Sequence, residues 1–171
     1  VRAQANGQTK ASNPAALTVN TDPSPAPTGF SLIPAGSFMM GSPEDEPGRD
    51  SAEVQHPVIL TRAFYIQKTE VTWAQWNIVR DWGLTHGYID LPIGRNGYNG
   101  DASGTHPVTE VSWRDAVKWL NAKTEMDGGD LVPVYYQEDS KTTVYRTGQH
   151  DVPITWVKTD ATGYRLPTEA E

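Results

Sequence analysis

The sequence predicts a domain of mixed helices and strands, organised around two amphipathic helices. Each helix begins with a capping box followed by apolar residues at helical spacing, one box at Thr72 and the other at Ser112. Short runs of β-branched and aromatic residues, bounded by turn residues, precede the first helix and follow the second. A long loop rich in Gly and Asn, residues 87–105, separates the two helices.

The beginning of the chain differs in composition from the rest. Residues 1–20 mix small apolar and polar side chains, and we interpret them as the end of a preceding β domain or as a tail. Residues 21–29 read TDPSPAPTG, in which prolines at alternate positions favour a semi-rigid linker. The main domain is therefore expected to occupy residues 30–171.

Four short strands are expected before the first helix. Their sequences are FSLI from Phe30, SFMMG from Ser37, VIL from Val58 and FYI from Phe64. The connection at residues 42–55 is acidic and contains Pro and Gly, which is typical of a solvated loop. A cation site is the alternative, although no regular spacing of oxygen ligands supports it for Glu44, Asp45, Glu46, Asp50 and Glu53.

The first helix is predicted to run from the capping box Thr72–Gln75 to about Trp82, with Gly83 and Gly87 ending it. Its apolar residues spread over a wide arc, which predicts a helix held between layers: Trp73, Trp76, Ile78, Val79 and Trp82. Stacked Trp side chains could also form a sugar-binding platform. Aromatic residues at helical spacing favour the core interpretation.

The second and central helix is capped by Ser112 and Asp115 and ended by Gly128 and Gly129. One stripe of this helix is expected to be buried: Trp113, Ala116, Val117 and Leu120. Each large side chain of the stripe should contribute roughly 1.5–3 kcal/mol by burial. The polar residues are expected largely outside the stripe: Arg114, Asp115, Lys118 and Asn121.

The loop of residues 87–105 offers a second, weak metal candidate. Asn96, Asn99 and Asp101 carry oxygen ligands that suit calcium, but turn formation explains the same residues and is preferred. The four histidines, at positions 56, 86, 106 and 150, have no spacing typical of metal ligands. No metal site is therefore predicted.

Short strands and a final capping box complete the pattern. Leu131–Tyr136 and Thr142–Thr147 are expected to form a hairpin, and Val152–Val157 a further strand. Residues 167–171 read PTEAE, which is the preface to a helix. We expect that helix to continue beyond Glu171, so that the domain is truncated in this sequence and its downstream half is a missing partner.

Composition excludes several classes of function. The net charge is −7 and no Lys/Arg cluster is present, which argues against a surface for nucleic acid or anionic membrane. No apolar run approaches the length of a membrane-spanning helix. The chain contains no cysteine, so it can form neither disulfides nor thiolate metal sites by itself.

Five motifs in order resemble the formylglycine-generating enzyme family, also called sulfatase-modifying factor domains. They are Phe38-Met39-Met40-Gly41, His56-Pro57-Val58, FYIQKTEVT at residues 64–72, HPV at 106–108 with VSW-x-DA at 111–116, and RLPTEAE at 165–171. The resemblance covers residues 30–171. It implies an α+β fold related to C-type lectins, with low regular secondary structure, of which this chain holds the N-terminal part.

The resemblance also implies what the chain lacks. Catalytic members are copper-dependent oxidases that convert a cysteine of sulfatases to formylglycine, using two cysteines downstream of RLPTEAE. No catalytic, cofactor-binding or metal-binding residue is therefore assigned here, and Trp73 and Leu120 replace the Asn and Cys that are common in the family. Three charged motif residues are interpreted as structural: Glu70, Arg165 and Glu169.

Two functions stay open. The favoured one is a ligand- or protein-binding scaffold module in an exported bacterial-type protein, since a fold alone does not specify chemistry. An exported location, periplasmic or extracellular, is expected because a leading β segment and a Pro-rich linker fit a modular exported protein, and this is compatible with both functions. The alternative is part of a copper-dependent formylglycine-generating oxidase. No cofactor is expected in this chain itself, and copper is expected only in a complete catalytic homologue.

Overall fold

Two packed helices and three separate two-stranded sheets make up most of the regular structure in a computed structural model that describes residues 26–99 and 102–171. The segment 1–20 and the first part of the predicted linker lie outside the described residues. No helix in the described ranges has the length and apolar character needed to cross a bilayer.

The four strands expected before the first helix are confirmed, and they pair as two antiparallel ribbons. Strand β1 (Phe30–Ile33) pairs with β4 (Phe64–Gln67), and β2 (Gly36–Met40) pairs with β3 (His56–Leu60). Within the Gly- and Asn-rich loop, a very short β5 (Arg95–Asn96) is followed later by its partner β6 (Val108–Thr109).

Helix α1 (Trp73–Leu84) begins with the predicted capping box. The Gln75 backbone N–H donates to Thr72 Oγ1 at 3.2 Å, and the Thr72 N–H donates to Gln75 Oε1 at 3.0 Å. The prediction that Gly83 ends the helix is wrong, because Gly83 is buried inside it and Thr85 is the C-cap. A Cβ at Gly83 would lie 3.2 Å from the Tyr88 Cβ, so a side chain there would crowd the returning chain.

Helix α2 (Trp113–Asp127) also begins and ends as predicted. Ser112 Oγ accepts from the Asp115 N–H at 3.1 Å, and Asp115 Oδ2 accepts from the Ser112 N–H at 3.0 Å. Gly128 follows the helix with a φ of 64°, and its N–H donates to the Thr124 carbonyl at 3.1 Å.

The buried face of α2 differs from the predicted stripe. Val117 is fully buried as expected, but Trp113 is 51% exposed. Three polar residues that were expected outside the stripe are buried: Asp115 at 7% exposure, and Lys118 and Asn121 at 0%. The reason is that α2 packs on two sides. Trp119 faces the α1 cluster, while Val117 belongs to a second cluster with Tyr135 and Tyr145.

The contact between α1 and α2 is aromatic. Trp76 and Trp119 stack with ring centroids 5.5 Å apart, and Trp119 Nε1 donates to the Trp76 carbonyl at 2.9 Å. Trp76 is only 2% exposed, which confirms the core interpretation over the sugar platform. The buried arc of α1 is narrower than predicted, because Ile78 is 65% exposed.

The buried Asn121 explains why the predicted hairpin has little ladder structure. Its Oδ1 accepts from the N–H groups of Val134 and Tyr135, both at 3.2 Å. Its Nδ2 donates to the carbonyls of Tyr135 at 2.8 Å and Tyr145 at 3.1 Å. The side chain thus occupies backbone groups that a ladder would use, and the predicted hairpin is reduced to a bridge between Tyr136 and Val144.

The strand predicted at Val152–Val157 is wrong. Ile154–Trp156 form a short 3-10 helix after Pro153, and only Val157 pairs, through a bridge to Tyr135. Proline has no N–H to give to a ladder, which favours the turn.

Candidate binding surface

An apolar cleft of about 120 Å³ lies where the two helices begin. All the side chains that line it are apolar: Val71, Trp76, Val108, Val111, Ala116, Trp119, Leu120 and Leu166. It combines residues from both helices, from β6 and from the RLPTEAE segment.

The two capping boxes position this cleft. Val71 and Val111 each immediately precede an N-cap residue, so the local sequence that starts each helix also places a lining valine. The Val108 N–H donates to the Val71 carbonyl at 3.0 Å and holds the two entry segments together. Gly94, with a φ of 60°, packs behind them, since a Cβ there would lie 2.6 Å from Val108 Cγ2.

An exposed indole lies beside the cleft. The Trp113 ring meets the Tyr135 ring edge-on at 6.5 Å between centroids. The Leu166 N–H donates to the Tyr135 hydroxyl at 2.9 Å. Tyr135 therefore contacts both Trp113 and Leu166, and Leu166 lines the cleft. Burial raises the pKa of the Tyr135 hydroxyl, which stays neutral and available as an acceptor.

The segment beyond Leu166 is closed by an ion pair. Arg165 donates to both carboxylate oxygens of Glu171 at 2.5 Å. Glu171 and Thr168 form the predicted capping box, with bonds of 3.0 and 3.3 Å. Hydrogen bonds from Arg165 lower the pKa of Glu171 to about 2. Arg165 therefore has the structural pairing expected of it.

Glu70 and Glu169, which were also interpreted as structural, differ from Arg165. Both are exposed, and neither makes a hydrogen bond or ion pair with another residue of the described ranges.

A buried lysine is the polar feature that the sequence pattern missed. Lys118 Nζ lies 2.9 Å from Asp90 Oδ1, 3.3 Å from Asp115 Oδ1 and 3.0 Å from the Gly148 carbonyl. An ammonium group has three donors, and three acceptors surround this one, so none is left for a ligand. Lys118 thus ties α2 to two loops. No local signal separates it from a surface lysine at a helical position.

A second polar cluster is satisfied in the same way. Glu125 accepts from the Tyr88 hydroxyl at 2.9 Å and from Arg146 at 2.6 Å. Burial, together with the neighbouring Glu125 charge, raises the pKa of Tyr88. The charged groups of both clusters hold loops to the helices, and none of them lines the cleft.

The candidate metal ligands are not brought together. Among residues 26–99 and 102–171, no three His, Cys, Asp or Glu side chains form a group that could hold a metal ion. In the acidic loop, Asp50 Oδ1 caps the Ala52 N–H at 2.9 Å. Asn99 Oδ1 accepts from Arg95 at 2.7 Å, and Asp101 lies outside the described residues.

The four histidines have separate environments. His86 stacks on Trp82 at 3.9 Å, and His106 and His150 lie against Tyr98 and Tyr145. His56 Nδ1 is 2.9 Å from the Val54 carbonyl. A copper(I) site built from thiolates does not fit the residues of this chain, because the sequence contains no cysteine.

Comparison with known proteins decides the family. Residues 15–171 match the sequence model of the sulfatase-modifying factor enzyme 1-like domain. The chain belongs to this family. Over 111 residues it is 37% identical to the chaperone protein LppX of Paenibacillus barcinonensis, a match that covers 63% of this chain and 34% of that protein.

Two solved structures of this sulfatase-modifying-factor type share the fold. The crystal structure of CarF matches with a TM-score of 0.64 and 31% identity, over 85% of this chain and 54% of CarF. Treponema denticola variable protein 1 matches with a TM-score of 0.57 and 25% identity, over 83% of this chain and 50% of that one. The resemblance and the mixed fold with short sheets and two helices are confirmed. The chain spans about half the length of these structures and about a third of LppX.

Proposed function

We propose that this domain is a binding module whose apolar cleft holds one side chain of a partner protein. The observation that carries the proposal is the cleft itself, about 120 Å³ in volume and lined only by apolar side chains. A dry engineered cavity of roughly 150 Å³ binds benzene, so the cleft has the volume of one aliphatic or aromatic group.

The surroundings of the cleft support a protein as the ligand. Trp113 stands 51% exposed beside it, and tryptophan is a frequent anchor at protein interfaces. The relative LppX is named a chaperone, and a chaperone acts on other proteins. Because this chain covers 34% of LppX, the function of the whole protein is part of the proposal.

We extend the proposal to an exported location, periplasmic or extracellular. The support is the segment TDPSPAPTG at residues 21–29, whose alternate prolines suit a spacer in a modular exported protein. Immunodetection of the native protein in periplasmic and culture-medium fractions tests the location. Recovery only with cytosolic markers contradicts it.

The alternative for the whole protein is a copper-dependent formylglycine-generating oxidase, and the enzyme named in the family description favours it. Within this chain the reaction has no thiol to bind copper(I). Mass spectrometry of a sulfatase-derived cysteine peptide, incubated with this chain and copper, should show no formylglycine. Copper-dependent conversion of the peptide would overturn this part of the proposal.

The binding function is tested by filling the cleft. An array of extended peptides, each carrying a single Leu, Phe or Trp, is probed with the full-length protein and with its Ala116→Phe variant. Ala116 lines the cleft, so the added phenyl ring fills the volume that a side chain of the partner would occupy. The matched control is Ala63→Phe, at an exposed position in the connection between β3 and β4.

We expect binding to peptides with an apolar anchor, a loss of at least tenfold in Ala116→Phe, and no loss in Ala63→Phe. Near-UV circular dichroism shows whether the filled variant keeps its aromatic packing. Equal binding by the two variants, or no binding by the unmodified protein, contradicts the proposal.

A further inference from the structure

The ribbon of β2 and β3 stands apart from the core. In the described residues, β2 pairs only with β3, and no backbone hydrogen bond outside that pairing involves residues 36–40. The ribbon carries exposed apolar side chains on both faces. Phe38 is 41% exposed beside Val58 on one face, while Met39 and Ile59 are 57% and 72% exposed on the other.

The two edges of the ribbon are unequal. The edge of β3 carries Pro57, which lacks an N–H and so discourages pairing with another strand. The sequence of β2 is GSFMM, with neither a proline nor a charge to protect its edge. A two-stranded ribbon in water is marginally stable at best, so a third strand beside β2 would stabilise it.

The connection between the two strands is strongly acidic. Residues 42–55 hold five carboxylates and one arginine, a net charge of −4 out of −7 for the chain. No ion pair within the described ranges involves any of the five: Glu44, Asp45, Glu46, Asp50 and Glu53. Asp50 and Glu53 only cap backbone N–H groups of the same loop.

We propose that the free edge of β2 accepts an extended, basic segment of a partner protein as a third strand. The backbone of the segment pairs with residues 36–40, as in other cases of strand addition. Apolar side chains of the segment pack beside Phe38 or Met39, and its Lys or Arg residues face the acidic connection. Charge complementarity selects the partner and the ribbon supplies the hydrogen bonds.

The same charge argues against a second copy of this chain as the occupant. Pairing β2 with β2 of another copy would place a second acidic connection, of net charge −4, on the same ribbon. The two connections lie side by side in a parallel pair and at opposite ends of the paired strands in an antiparallel pair, so they add repulsion, whereas a basic strand adds attraction.

The test uses the full-length protein and three labelled eight-residue peptides. One alternates Lys and Val, one alternates Glu and Val, and one is the Lys-Val peptide with an N-methyl group on every backbone amide, which removes the N–H donors on both edges and prevents strand pairing. Affinity is measured by fluorescence anisotropy at 0.05 and 0.5 M NaCl. Amide hydrogen exchange then locates the bound peptide.

Two protein variants distinguish the effect of the charges beside the ribbon from the effect of the net charge of the protein. The triple variant Glu44→Gln, Asp45→Asn, Glu46→Gln neutralises three exposed carboxylates beside the ribbon. The control triple variant Asp139→Asn, Asp160→Asn, Glu169→Gln makes the same change of charge at exposed positions outside the ribbon.

We expect the Lys-Val peptide to bind, to protect those amides of residues 36–40 that point away from β3, and to lose about tenfold in affinity at high salt. The ribbon variant should bind it about tenfold more weakly, and the control variant with unchanged affinity. The Glu-Val and N-methylated peptides should bind at least tenfold more weakly than the Lys-Val peptide.

Four results overturn the proposal. They are equal binding of the Lys and Glu peptides, tight binding of the N-methylated peptide, new protection outside residues 36–40, and protection of the β2 amides that point away from β3 before any peptide is added. The last result means that another part of the protein, or a second copy, already covers the edge. Sedimentation velocity distinguishes these two occupants.

Discussion

Replacing Asn121 by alanine tests the account of how the second half of the core is held. Asn121 is fully buried on α2, and its amide makes four hydrogen bonds to the backbone of residues 134, 135 and 145. The segments it joins are buried too, since Val134, Tyr135 and Tyr145 are at most 5% exposed. Water therefore cannot readily replace the amide.

The cost follows from the groups left without partners. The N–H groups of Val134 and Tyr135 and the carbonyl of Tyr145 lose their only described partner, while the Tyr135 carbonyl keeps a bond from the Tyr145 N–H at 3.0 Å. Each buried group without a partner costs about 1–3 kcal/mol. Some local relaxation is expected, so the free energy of unfolding should fall by about 4 kcal/mol.

Urea denaturation measures this change, with an unchanged m-value showing that the unfolding transition is comparable. Asn77→Ala is the matched control, because the Asn77 amide donates only to the Trp73 carbonyl of its own helix, at 2.9 Å. The free energy of unfolding of this control variant should fall by about 0.5 kcal/mol or less. If the free energy of unfolding falls no more in Asn121→Ala than in Asn77→Ala, the hydrogen bonds of the Asn121 amide are not what holds residues 134, 135 and 145 to α2.

Three further predictions concern other charged and capping residues. Lys118→Met leaves the Asp115 carboxylate without its buried partner, so the free energy of unfolding, measured with denaturant, should fall by about 3–5 kcal/mol. A fall of less than about 1 kcal/mol would contradict a stabilising role for this ion pair. Ser112→Ala removes the N-cap of α2 and should lower the free energy of unfolding by about 1 kcal/mol, seen as a shifted urea midpoint. Glu171 has a pKa lowered from 4.5 to about 2, so its pairing with Arg165 stabilises the fold above pH 4.5 and is lost as the pH falls toward 2. The free energy of unfolding, measured across that pH range, should depend less on pH in Glu171→Gln than in the unmodified protein. Identical pH dependence in the two proteins would show that the pairing with Arg165 does not stabilise the fold.

The starts of both helices and the end of α2 were predictable because the sequence signals that set them are local. Thr72 with Gln75 and Ser112 with Asp115 form both bonds of their capping boxes, and Gly128 ends α2 as expected. The early strands were predictable for a similar reason, since short β-branched and aromatic runs stand between turn residues.

The burial of α2 was not predictable from periodicity, because a helix packed on two sides has no single apolar stripe. Lys118 and Asn121 are buried through bonds to segments that follow many residues later, at 134–148. Trp113 was expected in the buried stripe, yet it lies at the first position of the helix and is half exposed. Its exposure is what gives the cleft an aromatic neighbour.

The candidate surface itself was only partly visible in the sequence. Val71, Val111 and Leu166 all belong to recognised motifs, but their meeting depends on tertiary contacts such as the bond from Val108 to Val71. A motif that fixes a helix start can also line a site, and sequence alone does not separate these roles.

The most direct measurement of the central claim is a methyl NMR titration of the full-length protein, with labelled Val and Leu, against the peptide that binds most tightly in the array. The account predicts shifts concentrated on Val71, Val108, Val111, Leu120 and Leu166, and their disappearance in Ala116→Phe. Shifts confined to methyl groups elsewhere, or shifts that persist in Ala116→Phe, would show that the cleft is not the binding site.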